Sequence, residues 1–189
     1  MRQFSLWMYK TSSTKLTLLV FLVFFLFTAL VLPAQNQKSS QVSGERSPDL
    51  SLFYDAAALL QMADSYGPSG RMAYVQARIT FDVLWPVVYG VFLCVSLSWV
   101  LKRLLPDDHP WRLLNLLPCA AVLFDYLENL SAGVVMQSYP ESPLWALYSA
   151  PVFTPIKWLF VGGCFVLLCV VLIALGFKSI QKGMDNLKM

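Results

Sequence analysis

Charged residues are scarce in this chain of 189 residues: Asp, Glu, Lys and Arg together make up 13%, where a soluble domain carries about 25%. Apolar residues make up 57%, and the mean hydropathy is +0.59. This balance excludes an ordinary water-soluble domain. The net charge of +3 is small, and the basic residues do not cluster with aromatic ones, so nucleic-acid binding is not expected. The composition predicts an integral membrane protein.

Residues that bind metals or act as nucleophiles are also rare. The one histidine, His109, lies in the sequence PDDHP, which its two prolines mark as a turn. The cysteines Cys94, Cys119, Cys164 and Cys169 have no CxxC spacing and are expected to be small buried apolar side chains. No GxSxG, HExxH, P-loop or GxGxxG motif is present. The sequence therefore predicts no metal site and no cofactor, and it assigns no catalytic residue, so whether the protein is an enzyme stays open.

Long apolar runs, by contrast, are plentiful. A helix needs about 20 apolar residues to cross a bilayer. Four runs reach or approach that length: residues 16–32, about 80–101, about 113–136 and about 151–177. We predict an all-α integral membrane protein, built as a four-helix transmembrane bundle with an extra amphipathic outer helix.

The first apolar run has two interpretations. Arg2, Lys10 and Lys15 precede it and the sequence PAQNQ follows it, as in a signal peptide. Its apolar part is longer than the 7–15 residues that are usual there, and Leu32 is a mediocre residue at the −3 position relative to Ala34. We favour a retained anchor over residues 1–33. Cleavage would leave three spans in the same orientation.

Positive charges predict the orientation, because they favour the cytoplasmic side of a membrane. With four spans, nine basic residues fall on the side of both termini: Arg2, Lys10, Lys15, Lys102, Arg103, Arg112, Lys178, Lys182 and Lys188. We therefore expect a multi-pass protein of the plasma (inner) membrane, with both termini cytoplasmic. Residues 34–79 would lie on the outer side.

The outer segment has two parts. Residues 34–50 are rich in Ser and Gln and predict a polar, flexible linker. In the part that follows, apolar residues recur at helical spacing before Gly67 and Pro68 end the pattern; they are Phe53, Ala56, Leu60 and Ala63. This pattern indicates an amphipathic helix that lies on the membrane or caps the bundle. Residues 51–189 would then comprise this helix and a three-span core.

A polar stripe follows the second span. We expect Ser69 to cap a helix that starts near Arg71 and runs unbroken into the span. At 100° per residue, seven residues lie within about 40° of one line: Arg71, Tyr74, Arg78, Asp82, Trp85, Tyr89 and Ser96. The rest of the span is nearly all apolar, so the stripe should face protein. Pro86 lies within it and either frees the carbonyl group of Asp82 or simply bends the helix.

The third span carries a second polar face, formed by Asp125, Glu128 and Asn129. A carboxylate at the centre of a membrane helix costs roughly 2.5–3.5 kcal/mol on insertion scales. Partners are therefore required. The helical rise of about 1.5 Å per residue places Asp125 level with Tyr89 and places Lys157 near the outer boundary of the bilayer. We expect the polar groups of three spans to converge in the outer half of the membrane.

This convergence defines a candidate ligand-binding site: Arg78, Asp82, Trp85, Tyr89, Asp125, Glu128, Asn129 and Lys157. Three acids face two bases there, and a shared proton, a bound cation or a cationic ligand could restore the balance. The main hypothesis is a site for a small amphipathic or cationic ligand or a lipid headgroup. One alternative is a membrane-embedded acid/base enzyme acting on a lipid. The other is a structural or accessory subunit, in which the ion pairs only hold the helices together. Beyond the lipid bilayer, no partner is indicated, and the oligomeric state is not predicted.

The ordered set YGPSGRMAYVQARITFDVLWPVVYGVFL, LFDYLENL and TPIKWLF resembles a family of small bacterial multi-span membrane proteins of unknown activity. The resemblance covers about residues 53–170 and takes the form GR..Y..R.T.D..WP..Y, D..EN and T..KW. It implies a multi-span membrane protein and brings no catalytic assignment.

Overall fold

The computed structural model describes residues 1–35, 47, 48 and 51–187. For residues 186 and 187 it describes the backbone only. The regular structure in this part of the chain is helical. Its helices are α1 (Arg2–Thr11), α2 (Thr14–Gln35), α3 (Ala56–Ser65), α4 (Gly67–Ile79), α5 (Phe81–Leu104), α6 (Leu117–Ser138) and α7 (Leu144–Leu187). A 3-10 segment, Pro110–Leu116, leads into α6.

Four helical stretches are long and apolar enough to cross a membrane: Thr14–Gln35, Gly67–Leu104, Pro110–Ser138 and Leu144–Asp185. Each of them contains one of the four predicted spans. The protein is therefore an all-α membrane bundle, as the sequence predicts. We call the end that carries Lys102, Arg103 and Arg112 the basic end, and the end that carries α3 the distal end.

Two apolar cores lie one above the other in the bundle. The core toward the basic end joins α5, α6 and α7 around Leu93, Leu97 and Leu168. The distal core joins α3 to α6 and α7 around Leu59 and Met136. Within a bilayer such side chains hold the helices together through close van der Waals packing. The polar residues of α6 lie between these two cores.

The helix α3 forms in the predicted region, and its buried face agrees with the predicted one except at Phe53. Asp55 caps it by accepting a hydrogen bond from the Ala58 amide at 2.7 Å. Phe53 precedes this cap and is 81% exposed, so the prediction that it belongs to the apolar face is wrong. The face that packs on the bundle is centred on Leu59, Met62 and Ala63, and the predicted Ala56 and Leu60 are partly buried against the same core.

The junction of α3 and α4 is tighter than predicted. Gly67 adopts a φ of 62°, which glycine reaches without the strain a side chain brings. Helix α4 begins at Gly67 itself with a proline in its first turn. The predicted cap at Ser69 and start near Arg71 are therefore wrong.

A break at Thr80 separates α4 from α5, with φ −118° and ψ −81°. The prediction of an unbroken helix into the second span is wrong at this residue. The hydroxyl group of Thr80 donates to the carbonyl oxygen of Gln76 at 2.7 Å, one of the acceptors that a helix end leaves open. Helix α5 then runs continuously through Pro86.

The N-terminal residues form α1, which the sequence interpretation treated only as a basic flank. This helix packs against the basic end: the hydroxyl group of Ser5 donates to Asn115 at 2.7 Å, and that of Tyr9 donates to the Arg112 carbonyl oxygen. Burial raises the pKa of Tyr9 to about 12. These contacts tie the segment before the first span to the 3-10 segment before α6.

Most of the predicted linker, residues 34–50, lies outside the described residues. Ser47 and Pro48 within it are buried, so the chain packs on protein at these two positions. At the distal end, Tyr139 donates a hydrogen bond to Asp64 at 2.8 Å, and this bond raises the pKa of the phenol.

Candidate functional site: an intramembrane polar cluster

Two consecutive turns of α6 contribute the centre of the site. Asp125 is 6% exposed, Glu128 0% and Asn129 6%. Their spacing places them on one helix face, as predicted from the 3.6-residue period. Burial of such groups is costly unless hydrogen bonds and opposite charges compensate. The neighbouring helices supply these partners.

Lys157 of α7 lies between two acids. Its Nζ is 2.9 Å from Oε2 of Glu128 and 3.8 Å from Oδ1 of Asp125. The ammonium group is itself buried, with the residue 6% exposed. One cation therefore serves two carboxylates in a region of low dielectric, where electrostatic interactions are strong.

Asp125 also accepts two hydrogen bonds from neutral donors. The hydroxyl group of Tyr89 on α5 donates to Oδ2 at 2.9 Å. Nδ2 of Asn129 donates to Oδ1 at 3.0 Å. The predicted equal depth of Tyr89 and Asp125 is thus seen as a direct contact.

The contact between Tyr89 and Asp125 requires a close approach of α5 to α6. Gly90 provides it, because a β-carbon at this position would lie 2.5 Å from Cγ2 of Val122. The absence of a side chain lets two backbones approach, as small residues do in membrane helix interfaces.

Arg78 extends the cluster toward the distal end. Its Nη1 donates to Oδ2 of Asp82 at 2.7 Å and to Oδ1 of Asn129 at 3.0 Å. Its guanidinium group also lies 4.1 Å from the centre of the Tyr74 ring, a cation–π distance. Arg78 comes from α4 and Asp82 from α5, so this ion pair crosses the break at Thr80.

The contacts form one connected network across four helices. It runs from Asp82 through Arg78 and Asn129 to Asp125, which links it to Tyr89, and Lys157 joins Asp125 to Glu128. Seven of the eight predicted site residues belong to it. Such a network has fixed donor and acceptor directions, and it can hold a positive charge, move a proton or hold helices together.

Trp85, the eighth predicted residue, forms a wall of the site. Its ring stacks on Phe24 and Phe27 of α2 at centroid distances of 6.0 and 5.6 Å. The same ring contacts Tyr89 edge-on at 5.7 Å. Aromatic contacts of this kind shield the Tyr89–Asp125 hydrogen bond on the side that faces α2.

Other residues of the predicted stripe lie outside the cluster. Arg71 donates to the Ala63 carbonyl oxygen at 2.8 Å and ties α4 to α3. Ser96 is buried lower in α5. Tyr126 of α6 also lies outside the cluster and donates to the Val83 carbonyl oxygen at 2.8 Å, one turn from the position where Pro86 interrupts the backbone bonds.

A second polar contact, at the basic end, escaped the sequence interpretation. Asn115 accepts from Ser5 at 2.7 Å and donates to Ser98 Oγ at 3.0 Å, in a fully buried position. The sequence does show Asn115 as a lone asparagine in an apolar run, but its partners Ser5 and Ser98 lie 110 and 17 residues away. No sequence pattern pairs residues at such separations.

Comparison of the chain with protein-family models, with curated proteins and with solved structures found no match. The resemblance to a family of small bacterial membrane proteins therefore stays a prediction.

Proposed function

We propose that the protein binds a small cationic or amphipathic ligand, or a lipid headgroup, at the polar cluster. The observation that carries the proposal is the position of Lys157, which is 2.9 Å from Glu128 and 3.8 Å from Asp125. A ligand cation that reaches Asp125 can take over the weaker of these two interactions while Lys157 keeps the stronger one. The cluster would thus accept a positive charge without breaking its main ion pair.

The cost of the cluster also supports a functional role. Buried ion pairs contribute little net stability, and well-packed apolar side chains of similar volume often do as well or better. This protein nevertheless concentrates the ionisable residues Arg78, Asp82, Asp125, Glu128 and Lys157 in one place. Ionisable residues inside a membrane are functional candidates by default.

We propose that the ligand enters from the outer side of a plasma membrane. The basic end would be cytoplasmic, following the rule that Lys and Arg flank spans on that side. The distal end would then face outward, together with Asp82, whose side chain is 14% exposed. Asp125 precedes Glu128 on α6 and is therefore nearer the basic end, so Asp125 and its partner Tyr89 would lie at the inner limit of the site.

A structural or accessory role is the second candidate, and one observation favours it. The network ties α4, α5, α6 and α7 together through directional bonds, which is what an interhelical lock requires. The acid/base enzyme stays a hypothesis from the sequence. The two carboxyl groups that it would use, those of Asp125 and Glu128, already share Lys157.

Native mass spectrometry from mild detergent would separate these candidates. We would compare the wild type with Asp125→Asn/Glu128→Gln, and use Asp107→Asn/Asp185→Asn as a charge-matched control at the basic end. A discrete bound mass that the control keeps and the cluster variant loses is the expected result. No bound mass in any form, together with a large loss of thermal stability in the cluster variant alone, would replace binding by the structural role.

Once its mass has identified the bound molecule, measuring its binding and its conversion separately distinguishes the binding function from the enzyme hypothesis. If the cluster variant binds it with unchanged affinity and only its conversion is lost, an acid/base reaction is the better account. Parallel loss of binding and conversion would support the binding function.

A further inference from the structure

An apolar groove lies on the opposite side of α5 from the polar cluster's centre. Its volume is 690 Å³, within the range of about 300–1,000 Å³ that small-molecule sites occupy. Helices α1, α2, α5 and α6 all line it, through residues that include Trp7, Val20, Val91, Cys94 and Cys119. It is thus built from helices on both sides of the exposed face of α5.

The lining offers almost no hydrogen-bonding groups to a ligand. The hydroxyl group of Thr11 donates within its own helix, to carbonyl oxygens at 3.1 and 3.2 Å. The thiols of Cys94 and Cys119 lie 3.9 Å from each other, and thiols are weak donors. An occupant must therefore be a hydrocarbon where it contacts the groove.

Helix α1 crosses the groove at the basic end. Its Phe4, Trp7, Met8 and Thr11 recur at helical spacing and face the groove. On another side, the same helix is fixed to the basic end through Ser5. A straight transmembrane helix of a partner would meet α1 in its path, whereas a flexible acyl chain can enter beside it.

Basic residues adjoin the lining of the groove in the sequence, since Lys10 precedes Thr11 and Lys15 precedes Leu16. Residues 1–35 contain Arg2, Lys10 and Lys15 and no acidic residue, and all three basic side chains are exposed. Near an anionic membrane surface, each such residue contributes about 1 kcal/mol of attraction. An acyl chain in the groove would place its headgroup at the level of these side chains.

We propose that the groove binds an anionic phospholipid, with one acyl chain along α5 and the phosphate group beside Lys10 and Lys15. The apolar lining selects the chain, and the charge of these basic residues selects the headgroup. This site is separate from the polar cluster and uses none of its residues. It does not rest on the function proposed for the cluster.

Lipid titration followed by native mass spectrometry tests the headgroup. Phosphatidylglycerol and phosphatidylcholine with identical acyl chains would be added to delipidated wild type, to Lys10→Gln/Lys15→Gln and to the control Lys178→Gln/Lys182→Gln. We expect phosphatidylglycerol to bind more tightly, and the first variant alone to lose about 30-fold in affinity because it lacks two basic residues. Equal binding of the two lipids, or equal loss in both variants, would overturn the anionic specificity.

Filling the groove tests the position of the chain. Val91 is 46% exposed and lines the groove, whereas Val170 on α7 is 56% exposed and is not among the lining residues, so it serves as the matched control. Val91→Trp should remove the lipid adduct, and Val170→Trp should keep it. An adduct that survives Val91→Trp in folded protein would place the lipid elsewhere.

Should Val91→Trp fail to fold, alkylation after folding gives the same information. Cys119 is exposed in the groove, and Cys169 is the other exposed cysteine. In Cys169→Ser protein, an N-alkyl maleimide should react with Cys119 and displace the phospholipid. In Cys119→Ser protein, labelling of Cys169 should leave the lipid bound, and displacement there would contradict the proposal.

Discussion

The peripheral and the central spans of this bundle differ in hydropathy, and the relation between hydropathy and burial is the reverse of that in a water-soluble protein. The most apolar windows of α2 and α7 have mean hydropathies of 2.7 and 2.9, and only 0% and 11% of their residues are buried in protein. The stretches Gly67–Leu104 and Pro110–Ser138 have values of 2.0 and 1.3, with 61% and 50% buried. Here the most apolar helices are the least buried ones.

The nature of the solvent explains the difference. Lipid tails are as apolar as leucine, so exposing apolar side chains to them costs little. Polar side chains in a bilayer can be satisfied only by other protein groups. Helices that carry polar residues must therefore lie at the centre, where α5 and α6 bring their acids and hydroxyl groups together.

Breaking the ion pair that joins the central helix α6 to α7 should have the largest effect. In Lys157→Met, Glu128 and Asp125 lose the ammonium group they share, and removal of one partner of a buried pair costs roughly 3–5 kcal/mol. The midpoint of thermal unfolding in detergent would measure this loss. Lys182→Met, on the exposed end of α7, should leave the midpoint unchanged.

A double variant sharpens that measurement. Lys157→Met/Glu128→Leu removes both members of the 2.9 Å pair and should recover part of the stability lost in the single variant, because no carboxylate is left in the most buried position. If the double variant is less stable than Lys157→Met, the pair is not the source of the effect.

Truncation of apolar side chains should have the next largest effect on stability, and it should do so in the central spans and not in the peripheral ones. Leu93 of α5 is 0% exposed and Leu159 of α7 is 72% exposed. Leu93→Ala leaves a cavity and should cost about 2–5 kcal/mol, whereas Leu159→Ala should change stability by less than about 0.5 kcal/mol. Equal losses in unfolding measurements would mean that Leu159 packs against protein in the assembled molecule.

The contact of α1 with the central helices gives a smaller, local effect. Asn115→Leu leaves Ser5 and Ser98 without their shared amide, at a cost of about 1–3 kcal/mol. Hydrogen exchange should become faster in α1 and stay unchanged at the polar cluster. Ser138→Ala, which removes only a hydroxyl bonded within its own helix, serves as the control; a change confined to α6 in Asn115→Leu would contradict the assignment.

The smallest effect concerns pH. Burial raises the pKa of Tyr9 to about 12, above the ordinary value of about 10. The neutral phenol therefore stabilises the docked α1 fully below pH 10, and this contribution is lost as the pH rises through about 12. The absorbance difference between wild type and Tyr9→Phe should show one tyrosinate forming near pH 12; formation near pH 10 would mean that α1 is not docked.

Much of the fold could be predicted from the sequence. All four spans were recognised from their apolar length, and Tyr89 and Asp125 were placed at the same depth by counting the rise from their basic flanks. Errors occurred where the structure depends on local backbone geometry: the break at Thr80, the start of α4 at Gly67 and the exposure of Phe53. These features follow from how short segments pack on the bundle, which hydrophobic periodicity does not encode.

The sequence by itself determined that the protein is a membrane bundle and that its acids need partners, because transfer free energies depend on composition and run length. It also determined which residues share a helix face, since the period of the α-helix is fixed. Only the tertiary structure decided which partners meet. Lys157 lies between two acids, Trp85 packs on α2, and Ser5 reaches Asn115. These contacts form because helices distant in sequence pack side by side. That packing depends on side-chain shapes along whole helices.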